Sequence, residues 1–309
     1  MASDPRPTST PRRATAIGGG HGLARTLAAL AELVDEVSAV VTVADDGGSS
    51  GRLRRDLDVL PPGDLRMALA ALARDRELAE LLQYRFDRGE LAGHSLGNLM
   101  IVALQDLAAG DPVAGLDRLA RLLAVPGRVI PCSRVPVDLH GRTATGTVTG
   151  QASLASTPGL EQVWLEPADP PVTPEAVAAI RDADLVVLGP GSLFTSLLPN
   201  LLVPGVAAAL SVRRAPAVLV ANLREQPGET QDMTLTDHLD VLERHVPGLS
   251  LDALVVHDGA CPSGGGKPLD ASEELLARVG RVVRRDLLDG EDGHDPLRLA
   301  AALGDLLEG

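Results

Sequence analysis

One short stretch, residues 44–55 (ADDGGSSGRLRR), concentrates residue types that bind phosphate or a divalent cation. Two adjacent carboxylates are oxygen ligands of the kind that Mg²⁺ prefers. Small hydroxyl side chains and exposed glycine amides offer hydrogen-bond donors, and guanidinium groups bind phosphate oxygens in pairs. The combination predicts binding of a diphosphate, with or without Mg²⁺ on the two aspartates. The candidate ligand-binding residues here are Asp45, Asp46, Ser49, Ser50 and Arg52.

A second stretch, residues 93–98 (GHSLGN), matches the G-x-S-x-G pattern of hydrolase nucleophiles. Such a serine needs a strand before it, whereas here a helical pattern and a short loop precede. Ser95 suits instead the N-cap of the helix that follows, and a helix start attracts anions. His94 and Asn98 flank that position as donors. The stretch therefore predicts a second anion contact, and a purely structural cap stays open as the alternative.

The loop IGGGHG (residues 17–22) follows the first apolar run of the chain. Its glycines allow a ligand to approach the backbone closely. No Gly-Lys-Ser/Thr follows, so it is not a Walker A loop, and Leu23 or Arg25 takes the third glycine position of the Rossmann fingerprint. This predicts a generic phosphate or nucleotide loop and disfavours a nicotinamide oxidoreductase. The candidates are Gly18, Gly19, Gly20, His21 and Gly22.

Two later loops, GPGSLFTS (189–196) and ANLREQPGET (221–230), carry further glycines, hydroxyls and amides after apolar runs. Each residue alone is commonly a cap or turn residue, but four such loops after apolar runs, 17–22, 44–55, 189–196 and 221–230, indicate a shared binding site at one edge of the sheet. The stretch PNLLVPG (199–205) adds Asn200 ahead of a helix. The additional candidates are Gly189, Gly191, Ser192, Asn200, Asn222, Gln226, Glu229 and Thr230.

Short apolar runs alternate with helical patterns along most of the chain, which predicts a Rossmann-like, doubly wound α/β fold with a mostly parallel sheet. In such folds ligands bind beyond the carboxyl ends of the strands. Residues of about 128–166 are rich in Val, Thr and Gly and predict an inserted antiparallel β-hairpin region. We expect a disordered tail at 1–13 and a single domain at 14–309. Helices are predicted at 63–73, 76–84, 96–108, 112–124, about 200–212, 233–246 and 295–307.

The composition excludes several classes of protein. A net charge of −14 disfavours nucleic acid and anionic membranes as partners. No apolar run reaches the roughly 18 residues of a transmembrane helix, and two cysteines make neither a disulfide framework nor a metal motif. Cys132 is predicted in the core, and Cys261 lacks catalytic partners. We expect a cytoplasmic protein that binds neither nucleic acid nor membrane.

Six strings resemble the gluconeogenesis factor family, which belongs to the CofD-like superfamily of 2-phospho-L-lactate transferase. The resemblance runs in order from about residue 14 to the last helix, and it implies one Rossmann-like domain. His21 stands where the family usually has Thr, and Met67 where a polar residue is common. The strings are GGGHGL, VTVADDGGSSGRLRRDL, LPPGDLR, LAGHSLGNL, LGPGSLFTSLLPNLLV and NLREQPGETQDMTLTDHL.

The resemblance implies a cytoplasmic regulatory protein that binds UDP-N-acetylglucosamine or a related nucleotide sugar. Such a protein links gluconeogenic carbon metabolism to peptidoglycan synthesis and cell shape, with cell-wall synthesis proteins as partners. No cofactor is required, Mg²⁺ at Asp45 and Asp46 is left open, and so is a homodimer. The alternative is an Mg²⁺-dependent transferase of coenzyme F420 biosynthesis that moves a phospholactyl group to a deazaflavin, with His94 as base.

Overall fold

The computed structural model describes residues 12–260, 266–290 and 293–307. Within these ranges the strands are β1 Arg13–Gly18, β2 Glu36–Val41, β3 Gly127–Pro131, β4 Asp138–Thr143, β5 Gly146–Thr149, β6 Gln162–Glu166, β7 Leu185–Leu188, β8 Ala217–Val220, β9 Ala253–His257 and β10 Arg281–Arg285. The helices are α1 Gly20–Ala31, α2 Gly48–Leu57, α3 Gly63–Leu72, α4 Arg76–Gln83, α5 Leu96–Asp106, α6 Pro112–Leu122, α7 Gln151–Leu154, α8 Pro174–Arg181, α9 Leu198–Leu201, α10 Pro204–Ser211, α11 Leu235–His245, α12 Glu273–Arg278 and α13 Pro296–Leu307. A π-helical turn, Leu193–Leu197, precedes α9.

Seven parallel strands form the main sheet in the order β10-β9-β8-β7-β1-β2-β3. The chain starts in the middle of this sheet, moves outward through β2 and β3, and returns to build the other half from β7. The order therefore reverses between β1 and β7, which is the switch point where such folds bind ligands. The predicted Rossmann-like α/β fold is confirmed.

Helices cover both faces of the sheet, and alternate residues of each strand supply the two cores. In β7, Leu185 and Val187 pack against α1, α3 and α13, whereas Val186 and Leu188 face the layer of α8, α10 and α11. All four β7 residues are buried. A strand covered on both faces has no polar alternation, which is why the sequence shows continuous apolar runs.

The inserted β region begins later than the sequence indicated. The Val-rich segment at its start forms β3, which pairs in parallel with β2 at the edge of the main sheet. Only β4, β5 and β6 form the separate antiparallel sheet, in the order β5-β4-β6, and α7 interrupts it. Strand propensity does not reveal the partner of a strand, so the boundary near 128 was wrong for the inserted sheet.

Two further predictions differ from the structure. The stretch 44–55 was interpreted as a loop that follows a strand, but residues 48–57 form α2. The buried face of α2 consists largely of Ser49, Ser50 and Gly51 and so lacks an apolar stripe. The predicted tail 1–13 lies mostly outside the described residues, and Arg13 already begins β1. The predictions for Cys261 also fall outside the described residues.

No single helix among the described residues has the length and apolarity to cross a bilayer. One strongly bent pair, Leu193–Leu201 with Pro204–Ser211, meets the length and composition criteria only when its two segments are taken together.

Candidate functional site

An open cleft of about 830 Å³ lies over the switch point. One wall comes from the start of α1, with His21 and Gly22, and the opposite wall comes from Pro190 and Gly191 after β7. The loop 222–227 after β8 completes this part of the cleft. The cleft therefore lies where the topology predicts a ligand site.

Two helices begin beside each other at this edge of the sheet, because β1 and β2 are neighbours. Gly19 is the N-cap of α1 and Gly47 that of α2, and neither can supply a capping side chain. The first residues of these helices, Gly20 and Gly48, have φ of 63° and 46°, a conformation that favours glycine. Helix starts carry a partial positive charge, so this arrangement suits an anion.

The loop at the start of α1 packs closely against the turn after β7 on one side and against α3 on the other. A Cβ atom added to Gly22 would lie 2.2 Å from the Pro190 carbonyl oxygen, and one added to Gly19 would lie 2.6 Å from Asp64 Oδ2. Gly191 lies close as well, since its added Cβ would be 3.6 Å from the Gly19 oxygen. The glycines of this loop thus permit the packing that joins the two sides.

Two acidic side chains, Asp45 and Asp64, lie close together on the β2 side, and Asp64 was not among the predicted residues. Asp64 Oδ2 is buried and has no hydrogen-bond partner among the described residues, although the Gly20 N–H donates to this carboxylate. Burial, reinforced by the charge of Asp45, raises the pKa of Asp64 to about 7. Asp46 accepts a hydrogen bond from the Ala152 N–H at 2.9 Å and is thereby joined to α7, the short helix of the inserted region.

Four side chains form a chain of hydrogen bonds under the start of α2. Arg66 Nε donates to Asn98 Oδ1 at 3.0 Å, Asn98 Nδ2 donates to Ser49 Oγ at 3.0 Å, and Ser49 Oγ lies 2.9 Å from His94 Nδ1. Arg66 is only 4% exposed, and burial, together with the charge of Arg85, lowers its pKa to about 10. Burial also lowers the pKa of His94. The network ties the two glycine-rich motifs, 44–55 and 93–98, into one unit.

The predicted residues nearest this network have simple placements. Ser95 caps α5 by accepting a hydrogen bond from the Asn98 N–H, at 3.4 Å. Ser50 is buried, and a Cβ added to Gly63 would lie 2.4 Å from its Oγ. Arg52 donates to the Ala92 carbonyl at 2.9 Å. All three hold the loop around the network.

On the β7–β8 side, amide side chains hold the backbone of the turns. Asn222 accepts from the Gly191 N–H at 2.8 Å and donates to the Gly191 carbonyl at 2.9 Å. Gln226 donates to Ser192 Oγ at 3.2 Å, and its N–H donates to Thr230 Oγ1 at 2.8 Å. These bonds fix the shape of the Gly189–Gly191 turn, where both glycines have positive φ.

Two other predicted residues are buried and act on the backbone. Glu229 Oε1 accepts from the N–H groups of Phe194 and Thr195, at 3.1 and 2.9 Å, and burial raises its pKa. Asn200 donates to the Gly18 carbonyl at 3.0 Å. Their contacts are with loops of this chain, which they position for the site.

The structure places the predicted residues in two groups. His21, Gly22, Gly191, Asn222 and Gln226 line the cleft. The residues of motifs 44–55 and 93–98 lie on the β2 side, next to the start of α1, where Gly19 packs against Asp64. No three His, Cys, Asp or Glu side chains among the described residues form a metal-binding group.

Several residues at or beside the cleft were not predicted as site residues. Asp64 and Arg66 come from the string LPPGDLR, and neither was among the candidate site residues predicted from the sequence. Arg25, Asp289 and His294 also line the cleft, and Arg25 forms an ion pair with Asp289 at 2.9 Å. The signal in LPPGDLR was a second acidic and basic pair close to the first motif, whereas nothing in the sequence linked residues 289 and 294 to α1.

Comparisons with known proteins show to which family the chain belongs. A family model described as 2-phospho-L-lactate transferase CofD matches residues 14–278. The "Putative gluconeogenesis factor" of Mycobacterium tuberculosis (strain H37Rv) is 48% identical over 308 residues, which cover 93% of this chain and 88% of that protein. The "Gluconeogenesis factor" of Bacillus subtilis (strain 168) is 38% identical over 307 residues, covering 94% and 96%.

A solved structure is also similar along almost the whole chain. The crystal structure of a UPF0052 family member from Bacillus halodurans has a TM-score of 0.89 and 37% sequence identity, and it covers 96% of this chain and 99% of that one. The extent of these matches confirms the resemblance seen in the sequence. The chain belongs to the CofD family and, within it, to the gluconeogenesis factors.

Proposed function

We propose that this protein binds UDP-N-acetylglucosamine, or a closely related nucleoside diphosphate sugar, at the switch-point rim. The observation that carries the proposal is the pair of glycine-capped helix starts, α1 and α2, placed side by side next to a large cleft. Two such helix starts suit the two phosphates of a diphosphate bridge. Arg52 and Arg66 add positive charge on the β2 side.

The cleft has the size for such a ligand. Its volume of about 830 Å³ falls within the range of roughly 300–1,000 Å³ common for small-molecule sites. Polar groups of His21, Arg25 and Gln226 line it beside apolar Leu223 and Pro227. A base and a sugar need this mixture of hydrogen bonds and apolar contact.

The β2 side fits a divalent cation through Asp45 and Asp64. The unpartnered Asp64 Oδ2 and the nearby Asp45 carboxylate are oxygen ligands of the type that Mg²⁺ uses, with phosphate and water completing its shell. Such an ion would neutralise the charge of a bound diphosphate. Asp46 is engaged with the inserted sheet and contributes least to this arrangement.

The regulatory role is favoured over the transferase because no Phe, Tyr or Trp ring lines the cleft to stack on a deazaflavin. Among the described residues, Tyr84 is exposed and Phe86 packs on it, Trp164 stacks on His140, and Phe194 is fully buried. None of these four aromatic residues lines the cleft. A binding protein of the cytoplasm that reports nucleotide-sugar levels to cell-wall synthesis needs no such platform.

Isothermal titration of the purified protein with UDP-N-acetylglucosamine, with and without Mg²⁺, tests the proposal. We expect saturable binding that Mg²⁺ strengthens in the wild type but not in Asp45→Asn. The same protein is then incubated with a phospholactyl-guanosine donor and a deazaflavin acceptor. Absence of binding would refute the proposal, and product formation would establish the transferase instead.

The cellular part of the proposal has a separate test. A strain lacking the gene is complemented with the wild type or with a variant that no longer binds the nucleotide sugar. We expect only the wild type to restore normal cell shape and growth on gluconeogenic carbon sources. Full rescue by the variant would separate the cellular role from ligand binding.

A further inference from the structure

One short segment of the inserted region, residues 150–156, contacts the loop after β2. The segment contains α7, and its Ala152 N–H donates to Asp46 Oδ1 at 2.9 Å. Gly150 packs against the same carboxylate, because a Cβ added to it would lie 2.1 Å from Asp46 Oδ2. The φ of Gly150 is 99°, a conformation that favours glycine. The backbone at the start of this segment therefore accommodates Asp46 closely.

The same segment also contacts the loops after β7 and β8. Gln151 Nε2 donates to the carbonyl oxygen of Thr195, in the π-helical turn, at 2.7 Å. Gly228 lies against the end of the segment, since a Cβ added to it would lie 3.4 Å from Ser156 Cα. The segment therefore joins loops that follow three different strands of the main sheet.

The attachments of this segment differ in how deeply they are buried. Leu154 is fully buried in the core that α10 and α11 also line, which fixes the segment to that layer of helices. Ala152 is exposed and Asp46 is half-buried, so solvent reaches the hydrogen bond between them. Solvent-exposed backbone hydrogen bonds open at a lower free-energy cost than buried contacts do. The contact with Asp46 is therefore the end of the segment that can open.

Asp46 lies within the loop that begins α2. It follows Asp45 in the chain and precedes Gly47, the N-cap of α2. While Ala152 is bonded to Asp46, the start of α2 is held at a fixed distance from the π-helical turn that Gln151 contacts. That distance decides whether one ligand can contact the loops on both sides.

We propose that Asp46 is a positioning residue, which acts through Ala152 to fix the loop after β2 relative to the turn after β7 and thereby slows the release of a bound ligand. The inference rests on the proposed function for the identity of that ligand, whereas the contact itself belongs to the fold. It gives Asp46 a role that needs neither direct contact with the ligand nor a metal ion.

Three variants test this role. Asp46→Ala removes the acceptor, whereas Asp46→Asn keeps an oxygen that can accept from the Ala152 N–H. Thr149→Val is the matched control in the same inserted region. Thr149 Oγ1 lies 2.9 Å from His140 Nδ1 within the inserted sheet, so its loss should leave the contact with Asp46 intact.

Hydrogen–deuterium exchange of the ligand-free proteins measures the effect across the site. We expect Asp46→Ala to speed exchange in peptides covering 193–197, which contain neither Asp46 nor Ala152. Asp46→Asn and Thr149→Val should exchange there as the wild type does. Unchanged exchange of 193–197 in Asp46→Ala would refute the positioning role.

Surface plasmon resonance with immobilised protein measures ligand release. We expect Asp46→Ala to release UDP-N-acetylglucosamine about tenfold faster than the wild type, the ratio that one hydrogen bond of ordinary strength supports, while its association rate stays within about twofold. Asp46→Asn should release it as slowly as the wild type. Equal release by Asp46→Ala and the wild type, or fast release by Asp46→Asn, would also refute the role. If the wild type binds no nucleotide sugar, the proposed function is refuted and the exchange experiment alone decides the role of Asp46.

Discussion

The loops at the carboxyl ends of the strands fall into two halves, which contain similar residue types but differ in what their side chains contact. The β2 half, defined as residues 45–52, 63–66 and 94–98, carries charge and leaves Asp64 Oδ2 and one Arg66 nitrogen without partners among the described residues. The β7–β8 half is defined as residues 189–192 and 222–230. Its amide, hydroxyl and carboxylate side chains form hydrogen bonds with nearby backbone groups. The β2 half therefore offers charged groups to a ligand, whereas the side chains of the β7–β8 half hold the conformation of their own loops.

This difference explains why the same pattern of glycines and polar residues is ambiguous in sequence. Asn222 holds both backbone groups of Gly191, so its role is to fix a turn. Asp45 and Asp64 repel each other instead, an arrangement that folding alone would not favour. Strain of this kind is typical of sites that bind a ligand.

The largest effect on ligand binding is expected at Gly22, where the α1 loop contacts the β7–β8 half. Gly22→Ala places a Cβ 2.2 Å from the Pro190 oxygen and should lower the free energy of unfolding by about 1–3 kcal/mol and abolish ligand binding. Urea denaturation and calorimetry measure both effects. Gly304→Ala is the matched control, because its Cβ meets only Leu33 at 3.5 Å in a helix and should stabilise the protein by about 0.5–1 kcal/mol. Normal binding by Gly22→Ala would show that the close contact is unimportant.

The next effect concerns the β7–β8 half. Asn222→Asp keeps the acceptor for the Gly191 N–H but sets a carboxylate oxygen against the Gly191 carbonyl, 2.9 Å away in the wild type. We expect a loss of about 1–3 kcal/mol at pH 7 in urea denaturation. The loss should shrink below about pH 4, where the carboxyl protonates and can donate again. A deficit that does not depend on pH would contradict this explanation.

The converse substitution in the β2 half, Asp64→Asn, removes a charge and should raise the free energy of unfolding instead of lowering it. The pKa of Asp64 is raised from 3.8 to about 7 in the folded protein, so the folded state binds more protons between these values and wild-type stability falls as pH rises from about 4 to 7. Asp64→Asn keeps the acceptor for the Gly20 N–H and removes the charge. In chelator-treated buffer, we expect it to exceed the wild type by up to about 4 kcal/mol at pH 8 and to match it near pH 4. Equal stability at both pH values would refute the buried acidic pair.

The smallest effect distinguishes Asp46 from Asp45. Asp46→Asn keeps the oxygen that accepts from the Ala152 N–H, so stability should change by less than about 0.5 kcal/mol and the Mg²⁺ dependence of binding should persist. Calorimetry with and without Mg²⁺ measures this, with Asp45→Asn as the comparison. Loss of the Mg²⁺ effect in Asp46→Asn would restore the pairing predicted from the sequence.

The fold and the edge of the sheet that carries the cleft could be predicted because both depend on local patterns. Buried parallel strands appear as continuous apolar runs, and glycine loops follow them at one edge of the sheet. The family was evident from long strings in order, and the comparisons confirm it. The ligand-binding roles of individual residues stay predictions.

What could not be predicted depends on contacts distant in sequence. Ala152 is 106 residues from Asp46, and no local pattern reveals that they bond. Helix α2 was not predicted from the sequence, because serines and a glycine form much of its buried face. A helix normally shows apolar residues there. The burial of Asp64 beside Asp45 likewise depends on how α3 packs against the β2 loop.

The central claim is that both halves bind one ligand together. Hydrogen–deuterium exchange with and without saturating UDP-N-acetylglucosamine tests it most directly, because it reports on backbone amides in every loop at once. We predict slower exchange in peptides covering 18–25, 45–53 and 189–196 together. Protection confined to one of these segments, or found in none, would contradict a shared site.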